Sequence, residues 1–223
     1  MNLYRKLVLV LAALLLASCA SARLQDDIGV SMEVMESIYA EQKEEMGLVL
    51  LDARWARQWG CGRFENAQLI SFSFDRFPFS GKPDHAPHDI TVGTTRVLSV
   101  QPTFESYALL VPPGKYALSN FRIRVAASVS QVGYWVANRS DLIQGEKVIG
   151  GSFEVAAGEV IYIGNFALDC QDAPTLWRYH PTGKDAFESQ LDDYRAKYPF
   201  IDLGKVKFRL FETDQIGYPY ELQ

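Results

Sequence analysis

Residues 84–89 concentrate the side chains best able to carry out chemistry in this sequence. The four possible metal ligands among them are Asp84, His85, His88 and Asp89. Pro87 opposes a helix that would place both histidines on one face, although a loop can still bring them together. Transition-metal sites usually draw ligands from several segments, and the sequence offers only His180 elsewhere. We expect a solvated loop, with a metal site as the alternative.

Motifs of the common catalytic sites are missing from the sequence. It contains no G-x-S-x-G nucleophile elbow, no G-x-x-x-x-G-K-[ST] phosphate loop and no H-E-x-x-H zinc motif. Asp192 and Asp193 are adjacent on an expected helix, so their carboxylates face different directions and cannot form an acid–base pair. We therefore expect a protein that is not an enzyme and needs no cofactor.

The N-terminal residues have the layout of a secretory signal peptide. Arg5 and Lys6 precede an apolar run over residues 7–17. This run is too short to cross a bilayer, because a spanning helix needs roughly twenty apolar residues. Residues 16–19, Leu-Ala-Ser-Cys, resemble the lipobox of bacterial lipoproteins.

That resemblance implies a division of the chain. Residues 1–18 would be the signal peptide, residues 19–27 a tether that begins at a lipidated Cys19 carrying palmitate-type acyl chains, and residues 28–223 one domain. Ala20 stands where lipoproteins kept in the inner membrane commonly carry Asp, which implies the outer membrane and its periplasmic face. An ordinary cleaved signal with an accidental cysteine is the alternative.

Composition and charge narrow the class of protein. Of 223 residues, 48% are hydrophobic and 22% charged, as in a folded globular protein. The net charge of −5, which becomes −7 without residues 1–18, argues against nucleic acid as a partner. The bilayer would hold such an acidic chain through lipids and not through charge.

Two further cysteines, Cys61 and Cys170, would enter an oxidising compartment. An even pair there favours one disulfide, although spacing alone leaves two separate buried thiols as the alternative. Gly60 and Gly62 flank Cys61 without forming a dinucleotide loop, so we expect these small residues to let the chain pass close to the cysteine.

Most of the domain shows strand signals. The sequence predicts strands at residues 47–54, 67–77 and 94–102. Residues 77–95 are rich in Pro and Gly and are predicted to form a long exposed loop. Pro113-Gly114 and Ala157-Gly158 predict two hairpins within residues 105–129 and 150–168. Apolar residues alternate along residues 121–129, which predicts a strand with one apolar face formed by Phe121, Ile123, Val125, Ala127 and Val129.

Two of these segments carry a resemblance to a family. VPPGKYAL at residues 111–118 and FEVAAGEVIYIGNF at residues 153–166 resemble transthyretin-like, carboxypeptidase-regulatory-like modules, over residues 96–168. The resemblance implies a mostly β fold, an antiparallel β-sandwich, and a binding or adaptor role without catalytic residues.

Helical signals flank the strands. We expect a short N-terminal helix in residues 28–46 and a C-terminal helix that begins with a capping box at residues 182–185 and stops before Pro199. A last strand should follow at residues 205–213. One face of the C-terminal helix is apolar, formed by Phe187, Leu191, Tyr194 and Tyr198. Four phenylalanines near Trp55 and Trp59 are expected in the core, and any that are exposed would mark a partner or ligand surface: Phe72, Phe74, Phe77 and Phe79.

These observations favour an outer-membrane lipoprotein whose β-sandwich binds an envelope protein or another envelope component. One alternative is a metal-dependent enzyme or metal-binding factor that uses residues 84–89. Another is a structural lipoprotein of the envelope. The metal alternative requires His180, or a further acidic side chain, beside the loop histidines in a pocket.

Overall fold

A computed structural model of the chain describes residues 33–79, 81–96 and 101–222. The fold is mostly β, as the sequence predicts. Cys19, the expected signal peptide and the expected tether lie outside the described residues. Within the part of the chain that the structure describes, no helix is long and apolar enough to cross a membrane.

Sheet A has the strand order β12-β11-β1-β5, with β13 beside β11. Its strands are β1 (Gly47–Arg54), β5 (Glu105–Val111), β11 (Val160–Asp169), β12 (Thr175–Tyr179) and β13 (Lys207–Phe208). The antiparallel arrangement predicted for the sandwich is wrong for β1, which runs parallel to β11. Both strands are buried over nearly their whole length, as is typical of parallel strands covered on both faces.

Sheet B has the order β10-β6-β3-β2, with β7 beside β6 and β4 beside β3. Its strands are β2 (Gln58–Cys61), β3 (Phe64–Phe77), β4 (Ile90–Gly93), β6 (Gly114–Ser128), β7 (Gln131–Ala137) and β10 (Ser152–Val155). All of its described pairings are antiparallel. A small two-stranded sheet follows helix α2 (Arg139–Leu142) and consists of β8 (Ile143–Gln144) and β9 (Lys147–Val148).

The two predicted hairpins are wrong in one respect: their strands belong to different sheets. β5 lies in sheet A and β6 in sheet B, and β10 and β11 are divided in the same way. The turns at Pro113-Gly114 and Ala157-Gly158 therefore carry the chain across the sandwich. Turn residues specify a reversal of direction, but the partner strand is chosen by which apolar faces must meet.

The inner faces of both sheets meet in one core. Phe72 and Phe74 are buried in it, as predicted, together with Trp55. The rings of Phe72 in sheet B and Phe166 in sheet A are stacked with their centres 4.9 Å apart. Trp59 is 68% exposed and lies on the short edge strand β2. Two partly buried rings pack against the core, Phe77 and Phe79.

The apolar alternation predicted for residues 121–129 holds over the first part of the segment. Phe121, Ile123 and Val125 are buried, whereas Ala127 is exposed and Val129 is 99% exposed. The register between β6 and β7 shifts after Ala126, and the chain then turns into β7.

The prediction of an exposed loop over residues 77–95 is partly wrong. Strand β4 lies within it, pairs with β3 and buries Ile90 and Val92 in the core. The strand predicted at residues 94–102 is wrong for residues 94–96 and 101–102, which form no strand. Residues 97–100 lie outside the described residues.

Helices cover the outer face of sheet A. Helix α1 (Glu36–Gln42) falls within the predicted N-terminal helix. Helix α3 (Lys184–Lys197) packs Phe187, Leu191 and Tyr194 against a second core that includes Leu50 and Tyr162 of sheet A. Tyr198, just past the helix, is buried with them, so the predicted apolar face is confirmed.

The ends of the C-terminal region differ from the prediction. Gly183 is the N-cap of α3, and no side chain caps the helix, so the predicted capping box is wrong. Gly183 has a φ of 84°, a conformation that favours glycine. The last strand is confirmed only at Lys207–Phe208, which follow a 3-10 turn (Leu203–Lys205).

Cys61 and Cys170 form a disulfide, as predicted. Cys61 ends β2 in sheet B and Cys170 follows β11 in sheet A, so the bond joins the two sheets. Gly62 has a φ of 56°, and a Cβ at this position would lie 2.8 Å from the carbonyl oxygen of Asp172. The close approach expected for the small residues beside Cys61 is therefore present.

Removal of the disulfide should destabilise the domain strongly. The bridged cysteines are separated by 109 residues in sequence, and the chain-entropy model gives roughly 4–5 kcal/mol for a loop of that length. We expect the double variant Cys61→Ala, Cys170→Ala to lose up to that much free energy of unfolding in a urea titration. The wild-type protein titrated with reductant is the control. A loss below about 1 kcal/mol would contradict the model.

Candidate functional site

The outer face of sheet B carries a cleft of about 370 Å³. The strand registers bring its walls together, because Ser71 lies opposite Arg122, and Ser73 lies opposite both Asn120 and Thr91. The lining side chains are Ser71, Ser73, His88, Thr91, Asn120, Arg122, Tyr134 and Val136. The described lining therefore combines hydroxyls, an amide, an imidazole and a guanidinium, and contains no carboxylate.

Arg122 is the cation of this cleft. Its guanidinium carbon lies 3.9 Å from the centre of the Tyr134 ring, within the range of a cation–π contact. The described residues provide Arg122 with no ion pair. Its charge is therefore held by an aromatic face and remains available to an anion.

His88 is not a side chain of a solvated loop, contrary to the sequence expectation. Its side chain is only 16% exposed. Nδ1 lies 3.1 Å from Oδ2 of Asp75 and 2.9 Å from Oγ of Ser119. The imidazole is thus fixed from below by two buried side chains, while the residue lines the cleft above.

Asp75 and Arg139 form the buried ion pair that organises the surrounding loop. Arg139 Nε donates to Asp75 Oδ2 at 2.6 Å, and the two side chains are 2% and 1% exposed. The same guanidinium donates to the carbonyl oxygens of Pro83, Asp84 and Pro87. Arg139 therefore ties the loop that precedes His88 to strand β3.

The pKa of Asp75 reflects this environment. Burial alone would raise it, but hydrogen bonds with His88, Arg139 and Ser119 outweigh burial and hold the pKa well below its usual range. Asp75 is consequently ionised throughout the physiological pH range, and its negative charge faces His88 and Arg139.

The other metal-ligand candidates have separate partners. Asp84 accepts hydrogen bonds from the backbone and hydroxyl of Ser140, and Asp89 pairs with Lys82. His85 is exposed. His180 stacks on Tyr220, with 4.1 Å between ring centres, and follows β12 of sheet A. Among the described residues, no group of three His, Cys, Asp or Glu side chains is placed to hold a metal ion.

Sequence reasoning missed Asp75, Arg139 and Tyr134. Arg139 belongs to no motif that the sequence analysis singled out. Asp75 and Arg139 are 64 residues apart, and no local pattern connects them. The one available signal at Asp75 was a charged pair, Asp75 and Arg76, at the end of a strand rich in phenylalanine.

The Asp75–His88 pair positions an imidazole but does not form a nucleophile relay. In a Ser-His-Asp triad, the serine and the carboxylate bind opposite ring nitrogens. Here Ser119 and Asp75 meet the same nitrogen, Nδ1. The arrangement orients His88 toward whatever occupies the cleft.

Comparison of the chain with family models, with curated proteins and with solved structures found no match. The resemblance to transthyretin-like modules and to bacterial lipoproteins stays a prediction.

A second cleft, of about 670 Å³, lies where helix α3 meets the outer face of sheet A. Asp52 is 1% exposed at its floor and accepts hydrogen bonds from Ser106 at 2.6 Å, Gln190 at 2.7 Å and Tyr194 at 2.8 Å. Burial raises the pKa of Asp52 to about 6, although these hydrogen bonds oppose the rise. These hydrogen bonds join β1 and β5 to α3, so we assign Asp52 a structural role.

A third cleft, of about 650 Å³, lies along the edge strand β12. Arg178 is 2% exposed, and its Nη2 donates to the carbonyl oxygen of Tyr218. Nε and Nη1 have no hydrogen-bond partner among the described residues. Because these atoms are sealed from solvent and Asp169 and Asp172 line the cleft, its surface does not favour an anion.

Breaking the buried ion pair should destabilise the domain more than removing both charges. Arg139→Met leaves the Asp75 carboxylate buried without its main partner, for which we expect a loss of about 3–5 kcal/mol in free energy of unfolding. The double variant Asp75→Asn, Arg139→Met should recover part of that loss. Urea titrations of the three proteins measure both effects, and equal stability of Arg139→Met and the wild type would refute this role.

Asp52 should make stability depend on pH between about 4 and 6. The unfolded chain releases this proton near its ordinary pKa of 3.8, whereas the folded protein keeps it up to about 6. The free energy of unfolding should therefore fall as pH rises through this window, by roughly 3 kcal/mol.

Asp52→Asn should remove this contribution, since the amide can replace the protonated carboxyl. The measurement is the difference in unfolding free energy between variant and wild type across pH 4–7, which isolates Asp52 from the other carboxylates. A difference that stays constant with pH would show that Asp52 ionises normally in the folded protein.

Proposed function

We propose that this chain is a lipid-anchored, non-enzymatic binding module of the bacterial cell envelope, which holds an envelope component against the outer face of sheet B. The observation that carries this proposal is the cleft that contains Arg122 and His88. Its polar groups converge on one small space and are fixed before any ligand arrives. Such convergence is characteristic of binding sites and has no evident use in stabilising the sandwich.

Rigid elements hold the binding groups. Arg122 and Asn120 stand on the long strand β6, and Ser71 and Ser73 stand on β3, which pairs with it. Asp75 and Arg139 fix His88 from beneath. Sites built on strands and supported by buried hydrogen bonds keep their geometry better than sites on loops alone.

The edge strand β7 extends this surface. Val132, Tyr134 and Val136 lie on the face of Arg122 and are between 42% and 52% exposed, whereas Trp135, opposite core-facing Ile123, is 40% exposed on the other face. The strand contains no charged residue, although edge strands of soluble proteins commonly carry charges that discourage association. An uncharged, aromatic edge beside a cationic cleft supports a role in recognition.

The anchor in this proposal comes from the sequence. Residues 16–19 resemble a lipobox, which implies Cys19 as the site of acylation, and Ala20 after the cysteine implies the outer membrane and its periplasmic face. One acyl chain gives reversible attachment and two or three give a stable anchor. The acidic domain would thus stay at the membrane while its cleft remains free to bind.

The rival functions have less support. A metal-dependent role for residues 84–89 conflicts with the partners of Asp84, Asp89 and His88, which lie within the protein. A purely structural lipoprotein has no use for an open cleft whose guanidinium receives no carboxylate from the described residues.

A photo-crosslinking amino acid at Val136 should attach the protein to an envelope component in intact cells. Val136 lines the cleft and is 42% exposed, so a bound component comes within reach. The product should fractionate with the membrane and carry an acyl label, and Cys19→Ala should abolish that label and the membrane retention.

The matched control places the same crosslinker at Glu188, an exposed position on α3 at the opposite side of the sandwich. We expect no comparable product there, and we expect Arg122→Gln to reduce the product formed at Val136. Equal yields at Val136 and Glu188 would favour the structural alternative, and membrane retention of Cys19→Ala without acyl label would remove the anchor from the proposal.

A further inference from the structure

The cleft on the outer face of sheet B places a cation, fixed hydroxyl partners and an aromatic ring within one small volume. We infer that it binds an acidic saccharide, meaning a polyhydroxylated ring that carries a carboxylate or a phosphate. This inference rests on the proposed function and names the chemical class of its ligand.

The anionic group of the ligand is inferred from the position of Arg122. A guanidinium presents a planar set of donors that matches a carboxylate or phosphate with two parallel hydrogen bonds. The clefts near Asp52 and Arg178 are each lined by two aspartates, whereas the described lining of this cleft has none. A local positive site in a chain of net charge −5 selects a small anion over an extended anionic surface.

The hydroxyl groups of the ligand are inferred from the position of His88. The ionised Asp75 carboxylate accepts the proton on Nδ1, because a carboxylate that is also paired with Arg139 has no proton to offer. Nδ1 is occupied by Asp75 and Ser119, which leaves Nε2 as the ring nitrogen available to a ligand. A ring nitrogen of this kind can exchange a hydrogen bond with a hydroxyl, so we place the anion at Arg122 and a hydroxyl at His88.

The remaining walls suit a sugar ring. The side-chain amide of Asn120 donates to the carbonyl oxygen of Ala137, which orients its oxygen as an acceptor. The Ser73 and Thr91 hydroxyls are hydrogen-bonded to each other at 3.1 Å, and either can be the donor. These groups offer both polarities of hydrogen bond, as several neighbouring hydroxyls on one ligand require.

Tyr134 supplies the apolar contact. Arg122 covers one face of its ring, and the side chain is still 52% exposed. Its ring and Val136 form an apolar patch against which the C–H face of a sugar can pack. A volume of about 370 Å³ lies at the small end of the usual range for ligand sites, roughly 300–1,000 Å³, and fits one sugar unit at a time.

The test is isothermal titration of the full-length protein with four small probes: glucuronate, glucose 6-phosphate, glucose and acetate. We expect at least one of the two acidic sugars to bind at least about tenfold more tightly than glucose and acetate, a ratio that corresponds to about 1.4 kcal/mol. Preference for glucuronate assigns the anion as a carboxylate, and preference for glucose 6-phosphate assigns it as a phosphate.

Arg122→Gln should reduce affinity for the acidic sugar at least about tenfold, since it removes the charge and the paired donors. Arg124→Gln is the matched control, because Arg124 stands two residues along the same strand on the same face but does not line the cleft. Thermal melts of both variants verify that they fold.

Three results would overturn the inference: no binding of either acidic sugar, equal binding of glucose, or equal loss in Arg122→Gln and Arg124→Gln. If crosslinking at Val136 succeeds while both acidic sugars fail to bind, the ligand class is wrong and the proposed function stands. If crosslinking fails as well, both are wrong.

Discussion

The pairing of β3 with β6 determines which side chains reach each face of sheet B. Leu69 faces the core opposite Ile123, and Ser71 faces outward opposite Arg122; the pairing register shifts between Leu69 and Ser71, so these two residues face opposite sides although they are two positions apart. Elsewhere side chains alternate along the strand, so a slip of one residue would exchange the two faces. The burial of apolar side chains in the core therefore also fixes the outward positions of the cleft, and the site inherits its geometry from the packing of the sandwich.

Charge burial adds a second constraint on the same strand. An isolated ionised carboxylate at Asp75 would be very costly inside the protein. Arg139 compensates that charge, and its remaining donors bind carbonyl oxygens of the loop before His88. The loop thus obtains its conformation from the requirement to satisfy a buried guanidinium, and this conformation brings an imidazole to the cleft.

Local patterns in the sequence predicted those features that depend on neighbouring residues. The strand at residues 47–54 and the apolar face of α3 were predicted from hydrophobic periodicity, and the Cys61–Cys170 bond from the cysteine count and the expected compartment. The sheet assignment of β5 and β6 could not be predicted, because the turn between them has the same chemistry whether the strands pair or cross the sandwich. Strand β4 was missed because prolines and glycines dominate the flanking residues and the strand itself is short.

The site was less predictable than the fold, because its residues come together only through long-range strand pairing. Sequence analysis identified His88, but as a possible metal ligand, because its nearest neighbours in sequence are Asp84, His85 and Asp89. Its actual partners, Asp75 and Ser119, come from β3 and β6 and are 13 and 31 residues away. The chemistry of the cleft is a product of strand register, which only long-range pairing defines.

The two outer faces of the sandwich differ in how they are covered. On sheet A, α3 seals the apolar positions around Tyr162, and the polar residue beneath it, Asp52, is tied into hydrogen bonds with the helix. On sheet B, the described chain places no helix over Arg122 and Asn120, so polar and aromatic side chains take the place of a covering layer. A sheet face can be open to water only if it is polar, and a polar face whose cation lacks a carboxylate partner is suited to an anionic ligand. The asymmetry between the faces therefore supports the proposal that recognition takes place on sheet B, while the covered face of sheet A contributes to the second core.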